Sequence, residues 1–441
     1  MGIYSALTNA VVGLQAQAYA LDNISGNIAN SSTTGYKEVD TAFEDLLTST
    51  GTSSSTQTSG SVSARSVSTT SVQGSISSTS TSTDLAISGS GFFQVVAKAG
   101  ESDGETVLGS TDYYTRQGDF SLSSEGYLVN TAGYYLTGIP VDAETGNVTG
   151  SAAEAIQIDT GTIAAKETTT IGYTANLPSS DEVETLGDAT DYTNSASFPT
   201  EIAADDSDTF EEQSLAGGSI SVYDEQGNEV DVELRWAKSE DDGTWSLYAK
   251  TSSTATDSET EWTQIASDFT FSSSGELTSP TSGSFSLSGV SVDGTDLSDV
   301  TFSYADGLTQ YNSGTTVSDE DITQNGYASG TFTSLSISDG IVQATYSNGE
   351  TISLYKVGVY TFNGESELLA VSGNAYQATA DSGTATLSDN ATIESSALES
   401  SNVDLTDQFS KMIITQQAYS ANSKVMQTAN SMMETLLNIV S

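Results

Sequence analysis

The chain has 441 residues and a formal net charge of −48, from 59 acidic and 11 basic side chains, with no Cys and no His. Such charge excludes nucleic acid and anionic membranes as partners, because each needs a basic footprint. The missing Cys and His exclude disulfides, thiolate or imidazole metal sites, and every Cys–His or Ser–His nucleophile pair.

From the N-terminus, Leu7, Leu14, Leu21 and Ile28 recur every seven residues, with Ile3, Ala10, Gln17 and Ile24 interleaved. This spacing predicts a helix from about residue 4 to about 29 with a coiled-coil seam. The first basic residue is Lys37, so the start does not read as a cleavable signal peptide, which needs a basic leader and a continuous apolar run. No stretch is apolar for the eighteen or so residues of a membrane span. Residues 31–83 read as an extended connecting segment; within it 48–83 are mostly Ser and Thr, either a linker or a strip that orders only against neighbouring copies.

From Asp84 the pattern turns to strands: Leu85–Ile87, Phe92–Val96, Tyr113–Thr115, Tyr127–Val129 and Tyr134–Leu136, separated by Gly-bearing turns. A second β section begins near Thr168. Within it, 180–212 is an acidic insertion that reads as a loop or small outer subdomain, and Asp224–Asn228 between Ser219–Tyr223 and Glu229–Ala237 is a hairpin signal. Thr244–Ala249 and Phe269–Phe271 continue the strands, and Asn348–Gly349 marks a turn in 331–378.

The last element repeats the first. Leu405, Met412, Tyr419, Met426, Met433 and Val440 are seven apart, and the interleaved row reads Phe409, Gln416, Ser423, Asn430, Leu437. A helix over about 404–439 follows, with Ser401 or Asp404 as N-cap. The termini are nearly neutral: residues 1–36 and 402–441 each carry −1, leaving −46 to the middle. Neutral ends can pack against like copies. The charged middle belongs in solvent.

The fold class expected is α+β, with long terminal helices pairing as a coiled coil and nested β-rich domains between them. Its divisions are 1–30 with 402–441, a helical domain; 31–83, the connecting segment; 84–167 with 326–401, an inner β domain; and 168–325, an inserted outer β domain. Catalysis finds little support. With so many carboxylates, close pairs arise by chance, and Val292–Asp296 is only a weak echo of a calcium loop. No metal or cofactor is expected. The chemistry left is the apolar face of the end helices, which pair with each other or, more favourably, with neighbouring copies.

Several blocks carry a family resemblance. Asn27-Ile28-Ala29-Asn30-Ser31-Ser32-Thr33-Thr34-Gly35-Tyr36-Lys37, Ala86–Phe93, Tyr114–Phe120, Glu125–Asn130 and Ala397–Leu405 occur in the order found in bacterial flagellar rod and hook proteins, and the chain resembles that family. Its length, its insertion over 168–325, and the segments Val222–Asn228, Gln324–Tyr327 and Tyr346–Thr351 resemble the hook branch. The resemblance implies a homopolymer: a helical tube joining motor rod to filament as a bendable universal joint. Implied partners are other copies of the chain, the distal rod, the hook cap, the hook–filament junction proteins and the flagellar type III export apparatus, which passes the subunit out of the cell unfolded. Phe43 and Leu47 match the aromatic-x-x-x-apolar motif by which such subunits engage the export gate. One departure is the segment before Ala397, usually Gly-rich, where only Gly383 remains in 381–396. Alternatives are a distal-rod-like subunit with an extended insertion or, in another class, a secreted adhesin or β-rich glycan-active enzyme.

Overall fold

A computed structural model describes residues 3–47, 59–102, 104–143, 145–150, 152–179, 199–239, 243–297, 299–305, 307–312, 314–388 and 390–440. Among the described residues, three α-helices stand among many strands: α1 (Ile3–Ala29), α2 (Ala204–Glu212) and α3 (Leu405–Val440). The chain divides into two compact units, one of Met1–Thr160, Thr333–Thr345 and Thr351–Ser441, the other of Gly161–Phe332 and Tyr346–Glu350.

In the first unit the strands are β1 (Val39–Leu47), β2 (Ser59–Ser68), β3 (Ile76–Ser78), β4 (Leu85–Ser88), β5 (Phe92–Ser102), β6 (Glu105–Thr115), β7 (Phe120–Leu122), β8 (Leu128–Asn130) and β9 (Tyr134–Pro140). The returning chain completes its sheet. The order runs Thr351–Lys356, β9, β5, β6, Ala375–Gln377, Leu369–Val371, so residues far apart in sequence lie side by side. The core is aromatic at one end. Phe92 meets Tyr376 at 5.5 Å and Phe362 at 6.2 Å between ring centroids, in the tilted and edge-on geometries that suit ring quadrupoles. Leu85, Ala86, Phe93, Val95, Leu128 and Leu136 are fully buried around it.

Among its described residues the second unit has two larger sheets and a small two-stranded ribbon, Ser291–Val292 with Thr295–Asp296. Thr170–Asn176 is central in one, parallel to Val300–Ser303 and Leu308–Thr309 and antiparallel to Ser318–Gln324. The other runs Glu201–Ala203, Thr260–Phe271, Trp245–Lys250, Glu229–Lys238, Leu215–Tyr223. Its Asp224–Asn228 turn closes the expected hairpin, with Val222 opposite Val230. Trp236, Trp245, Phe269, Phe302 and Tyr304 form the core around Tyr173. Two of its polar handles satisfy each other: the Trp236 indole N–H donates to the Tyr173 hydroxyl at 2.8 Å, which donates to the Gly217 carbonyl at 2.9 Å, whereas the buried Trp245 indole N–H has no hydrogen-bond partner among the described residues.

One segment differs from the sequence expectation and another narrows it. Residues 31–83, expected as an extended connection, contain an antiparallel ribbon of β1 and β2, with Phe43 opposite Ala64, and a further strand β3 opposite Ala397–Glu399. Ser and Thr disguise this ribbon, but its side chains are tied to α1. The Asn23 amide donates to Thr41 and Ser66 hydroxyls at 2.9 and 3.1 Å, and the Tyr19 hydroxyl meets Ser66 at 2.7 Å. Of the two alternatives for the acidic insertion, a loop or a small subdomain, its described part is not the loop: it is a strand and the helix α2. Phe210 of α2 packs on Tyr248 and Trp262, and the Trp262 N–H donates to Ser207 at 3.0 Å. Residues 180–198 of that insertion lie outside the described residues.

Candidate assembly surface and its buried charge hub

The helices α1 and α3 run antiparallel against each other. Two contacts fix the register. The Asn27 amide donates to the Gln408 side-chain oxygen at 3.1 Å, and a Cβ placed on Gly13 would stand 2.9 Å from the Asn422 amide nitrogen. The pairs 27/408 and 13/422 are each fourteen residues on along both helices, in opposite senses. Gly13 is thus where α3 comes too close for a side chain.

The heptad spacing predicts large apolar residues at this contact, whereas the structure fills it with small and polar ones. Buried on α1 are Ala10, Gly13, Ala16, Ala20, Ile24 and Asn27; buried on α3 are Gln408, Thr415 and Ala429. Of the assembly residues expected from sequence, Ile24 is buried, and Leu7, Leu14, Leu21, Ile28, Met412, Met426 and Met433 are half-buried. Leu405, Phe409 and Tyr419 are exposed, as are Ile413, Ile414, Val425 and Met432, which the heptad pattern passed over. Ile3, Leu437 and Val440 belong to the helices, but their side chains lie outside the described residues, as does that of Leu47 in β1; Phe43 is exposed on β1.

At the base of the helices sits a hub of buried charge. The turn after α1 is built by its own side chains: Asn30 donates to the Gly26 carbonyl, and its oxygen accepts from Thr33. Gly35 then takes φ +64°, a left-handed conformation that favours glycine, and its N–H donates to the Glu399 carbonyl at 2.7 Å. This aims Lys37 inward. Its Nζ, with a fully buried side chain, is 2.6 Å from Glu399 Oε1 and donates to the Val72 carbonyl at 2.6 Å. Arg116 approaches the other carboxylate oxygen at 3.1 Å and donates to the Ile87 and Gly89 carbonyls, its guanidinium 5.6 Å from the centre of the Phe92 ring. The Gly74 N–H adds a third donor to Glu399. Burial pushes the Lys37 pKa down, opposed by its hydrogen bond to Glu399.

From the hub a polar chain leads to α3. Asn402 accepts from the Glu38 N–H at 2.7 Å and donates to Thr69 at 2.9 Å and to the Val72 carbonyl at 3.2 Å. Asp404 caps α3, accepting from the Thr406 N–H at 2.8 Å. Gln408 and Lys411 both donate to the Glu38 carboxylate, at 2.8 and 3.0 Å, and Lys411 also reaches Asp407 at 3.0 Å. Partial burial disfavours the Lys411 charge, but Asp407 and Glu38 together raise its pKa above the usual lysine value.

Each charge in the hub has an opposite partner, although the buried Arg116 Nε has no hydrogen-bond partner among the described residues, so the arrangement fastens segments together. The sequence reading used these blocks for their resemblance and assigned no role to Asn27, Lys37, Arg116, Glu399 or Asn402. Among the described residues, no group of three or more acidic side chains could hold a metal, and no helix is long and apolar enough to cross a membrane.

A chain whose paired terminal helices are fastened by both ends of the sequence to a β unit, with large apolar side chains left in solvent, has the build of an axial assembly subunit. Comparison with known proteins specifies which kind. Residues 7–37 match the family described as Flagella basal body rod protein, 86–174 the Flagellar hook protein FlgE/F/G D1 domain, 188–327 the Flagellar basal body protein FlaE D2 domain, and 394–439 the Flagellar basal body rod FlgEFG protein C-terminal. The chain is 30% identical to the flagellar hook protein FlgE of Brucella suis over the whole of both. It is 29% identical to that of Escherichia coli K12, over 98% of this chain and all of the other. The crystal structure of Helicobacter pylori flagellar hook protein FlgE2 is similar over 72% of this chain and 99% of that one, at 14% identity and a TM-score of 0.48. The chain belongs to the flagellar hook protein family. It is a structural subunit of the flagellar hook, serving motility, and not an enzyme.

Proposed function

We propose that copies of this chain polymerise through α1 and α3, packed as coiled coils, into a flexible helical tube that carries torque from rod to filament as a universal joint. Leu7, Leu14, Leu21, Ile28, Leu405, Phe409 and Tyr419 contact neighbouring copies in this reading, with Ile3, Leu437 and Val440 extending the seam. The hook lies outside the cell. Its ends meet the distal rod and the hook–filament junction proteins, a hook cap covers it during growth, and Phe43 with Leu47 engages the type III export gate before the chain folds. The inner β domain of 84–167 and 326–401 forms the next shell, and the acidic domain of 168–325 takes the solvated surface.

One observation carries the reading. On α3, Phe409 is 51%, Ile413 56% and Ile414 67% exposed. Burying a side chain of this size is worth about 1.5–3 kcal/mol, and a monomer leaves that gain unused. Electron microscopy of the purified full-length chain tests it. Curved hollow tubes are expected from the unaltered chain, and none from Ile414→Asp, a position whose exposure spares the packing within one copy. Normal tubes from that variant, or an unaltered chain that never polymerises, would overturn the reading.

A further inference from the structure

The β part of the first unit offers a second, unassigned surface. Between the end of Thr351–Lys356 and the strands Thr386–Leu387 and Thr392–Ser395 lies a groove of about 560 Å³. Ile139, Val359 and Ile393 line it, with Val148 42% and Leu387 53% exposed on its walls. Lys356 and Asp339 are its charged groups.

Lys356 is unusual for this chain. The first unit holds seven of the eleven basic residues. Lys37 and Arg116 are taken by Glu399, Arg65 by Glu44, Lys98 by Glu101, and Lys411 by Glu38 and Asp407. Among the described residues of this unit only Lys356 and Lys424 make no ion pair, although the protein carries 59 carboxylates. A lone cation in an apolar groove suits an anion flanked by an apolar side chain.

The same unit presents that combination elsewhere. Leu369–Val371 is the last strand on one edge of the sheet, with an unpaired outer side among the described residues. Leu369 is 54% exposed, and Glu367 beside it is exposed without an ion pair. This edge is five strand steps from Thr351–Lys356, about 24 Å at ~4.8 Å per step, so it cannot fill the groove of its own copy.

We propose that the groove around Lys356 receives the Glu367–Ala370 edge of a second copy of this chain. Leu369 seats between Val148 and Leu387, and the Glu367 carboxylate pairs with Lys356. Two different patches meeting in this way form a heterologous contact, which repeats into a ring or an open helix instead of stopping at a dimer. The pairing also uses one of the scarce free cations where two acidic copies must approach. The proposal rests on the polymerisation reading above and adds a contact outside the helices.

Charge exchange tests it, with the full-length chain and sedimentation of polymer as readout. Lys356→Glu and Glu367→Lys should each raise the critical concentration for assembly about tenfold, and the double exchange should bring it back. Both side chains are exposed, so thermal melting of the monomer should not change. Single variants that assemble normally, or a double variant no better than either single, overturn the contact. Because the chain has no Cys, Leu369→Cys with Leu387→Cys gives a second readout: oxidised polymer should run as a covalent ladder, and oxidised monomer should not. Polymer without a ladder also overturns it. Failure of the unaltered chain to assemble would instead remove the polymerisation reading itself.

Discussion

Glu399→Gln keeps the shape of the hub but leaves Lys37 and Arg116, both buried, against a neutral amide. Breaking a buried ion pair from one side costs about 3–5 kcal/mol, because the remaining charge loses its counter-ion and cannot reach water. The effect should be confined to the first unit. All three Trp residues, 236, 245 and 262, belong to the second, so Trp fluorescence reports that unit alone. Far-UV dichroism should therefore show an early transition in Glu399→Gln, with the fluorescence transition unmoved; coincident shifts would contradict an isolated hub. High pH probes both units, because burial also pushes the Tyr173 and Tyr248 phenols of the second unit well above the free value. Burial pushes the Tyr114 and Tyr376 phenols up to about 12, against 10.0 when free. Between those values the unfolded chain has lost protons that the folded one keeps, so stability falls as pH rises. Lys411 acts in the same sense: its raised pKa favours folding below about 10.5, and that contribution is lost above it. Lys37 acts oppositely, since burial lowers its pKa and a neutral amine is easier to bury. With the tyrosines dominant, phenolate absorbance at 295 nm should rise together with loss of ellipticity above pH 10. A smooth titration with intact ellipticity would show that these phenols are not buried in solution.

Among the elements, the helix pair gives the sharpest test, at Gly13. Ala in a helix interior is worth about 1 kcal/mol over Gly, but a Cβ there would press on the Asn422 amide at 2.9 Å. Gly13→Ala should therefore bring little or no gain alone and about 1 kcal/mol in an Asn422→Ala background, read by urea unfolding of helical signal. Equal effects in both backgrounds would mean that the two residues do not meet. The same pair shows what could be read in advance. The helix limits were legible from periodicity, and the observed spans Ile3–Ala29 and Leu405–Val440 lie within a residue of the expected ones. The contact face was not. Counting large apolar residues points to Phe409 and Leu405, whereas close approach selects Ala10, Gly13, Ala20 and Thr415. The two criteria separate the face turned to the partner helix from the apolar residues left in solvent. Strands of β-branched and aromatic residues, such as Phe92–Val96, were legible for the usual reason, while β2, reading Ser-Gly-Ser-Val-Ser-Ala-Arg-Ser-Val-Ser, hid in low complexity. Its hydrogen bonds to Asn23 and Tyr19 come from a helix over forty residues away, and no local pattern carries that information. The hub was invisible for a related reason: its members stand at 37, 116 and 399, and only the fold brings them together.

For the whole molecule, charge distribution sets the conditions of assembly. Residues 161–332 hold four bases against 32 acids, a net −28 out of −48, while the helical ends are near neutral. Bringing copies together through those ends concentrates the acidic units whatever their contacts. The repulsion between exposed charges reaches about 10 Å at 0.1 M salt and about 3 Å at 1 M. The critical concentration for polymerisation should therefore fall steeply as NaCl is raised through this range, although an apolar helix contact has little salt dependence of its own. Sign and location can be checked together. Asp208, Glu212, Glu225 and Glu229 are exposed in the second unit, away from its core. Converting all four to amides removes four negative charges per copy without touching either helix. Assembly of that variant should need less salt than the unaltered chain and give the same tubes. The hub stands apart from this effect: its ions are buried and paired, so added salt should leave the Glu399→Gln defect in place. An unchanged salt requirement after the four conversions would place the limiting repulsion elsewhere, in the helices or the first unit.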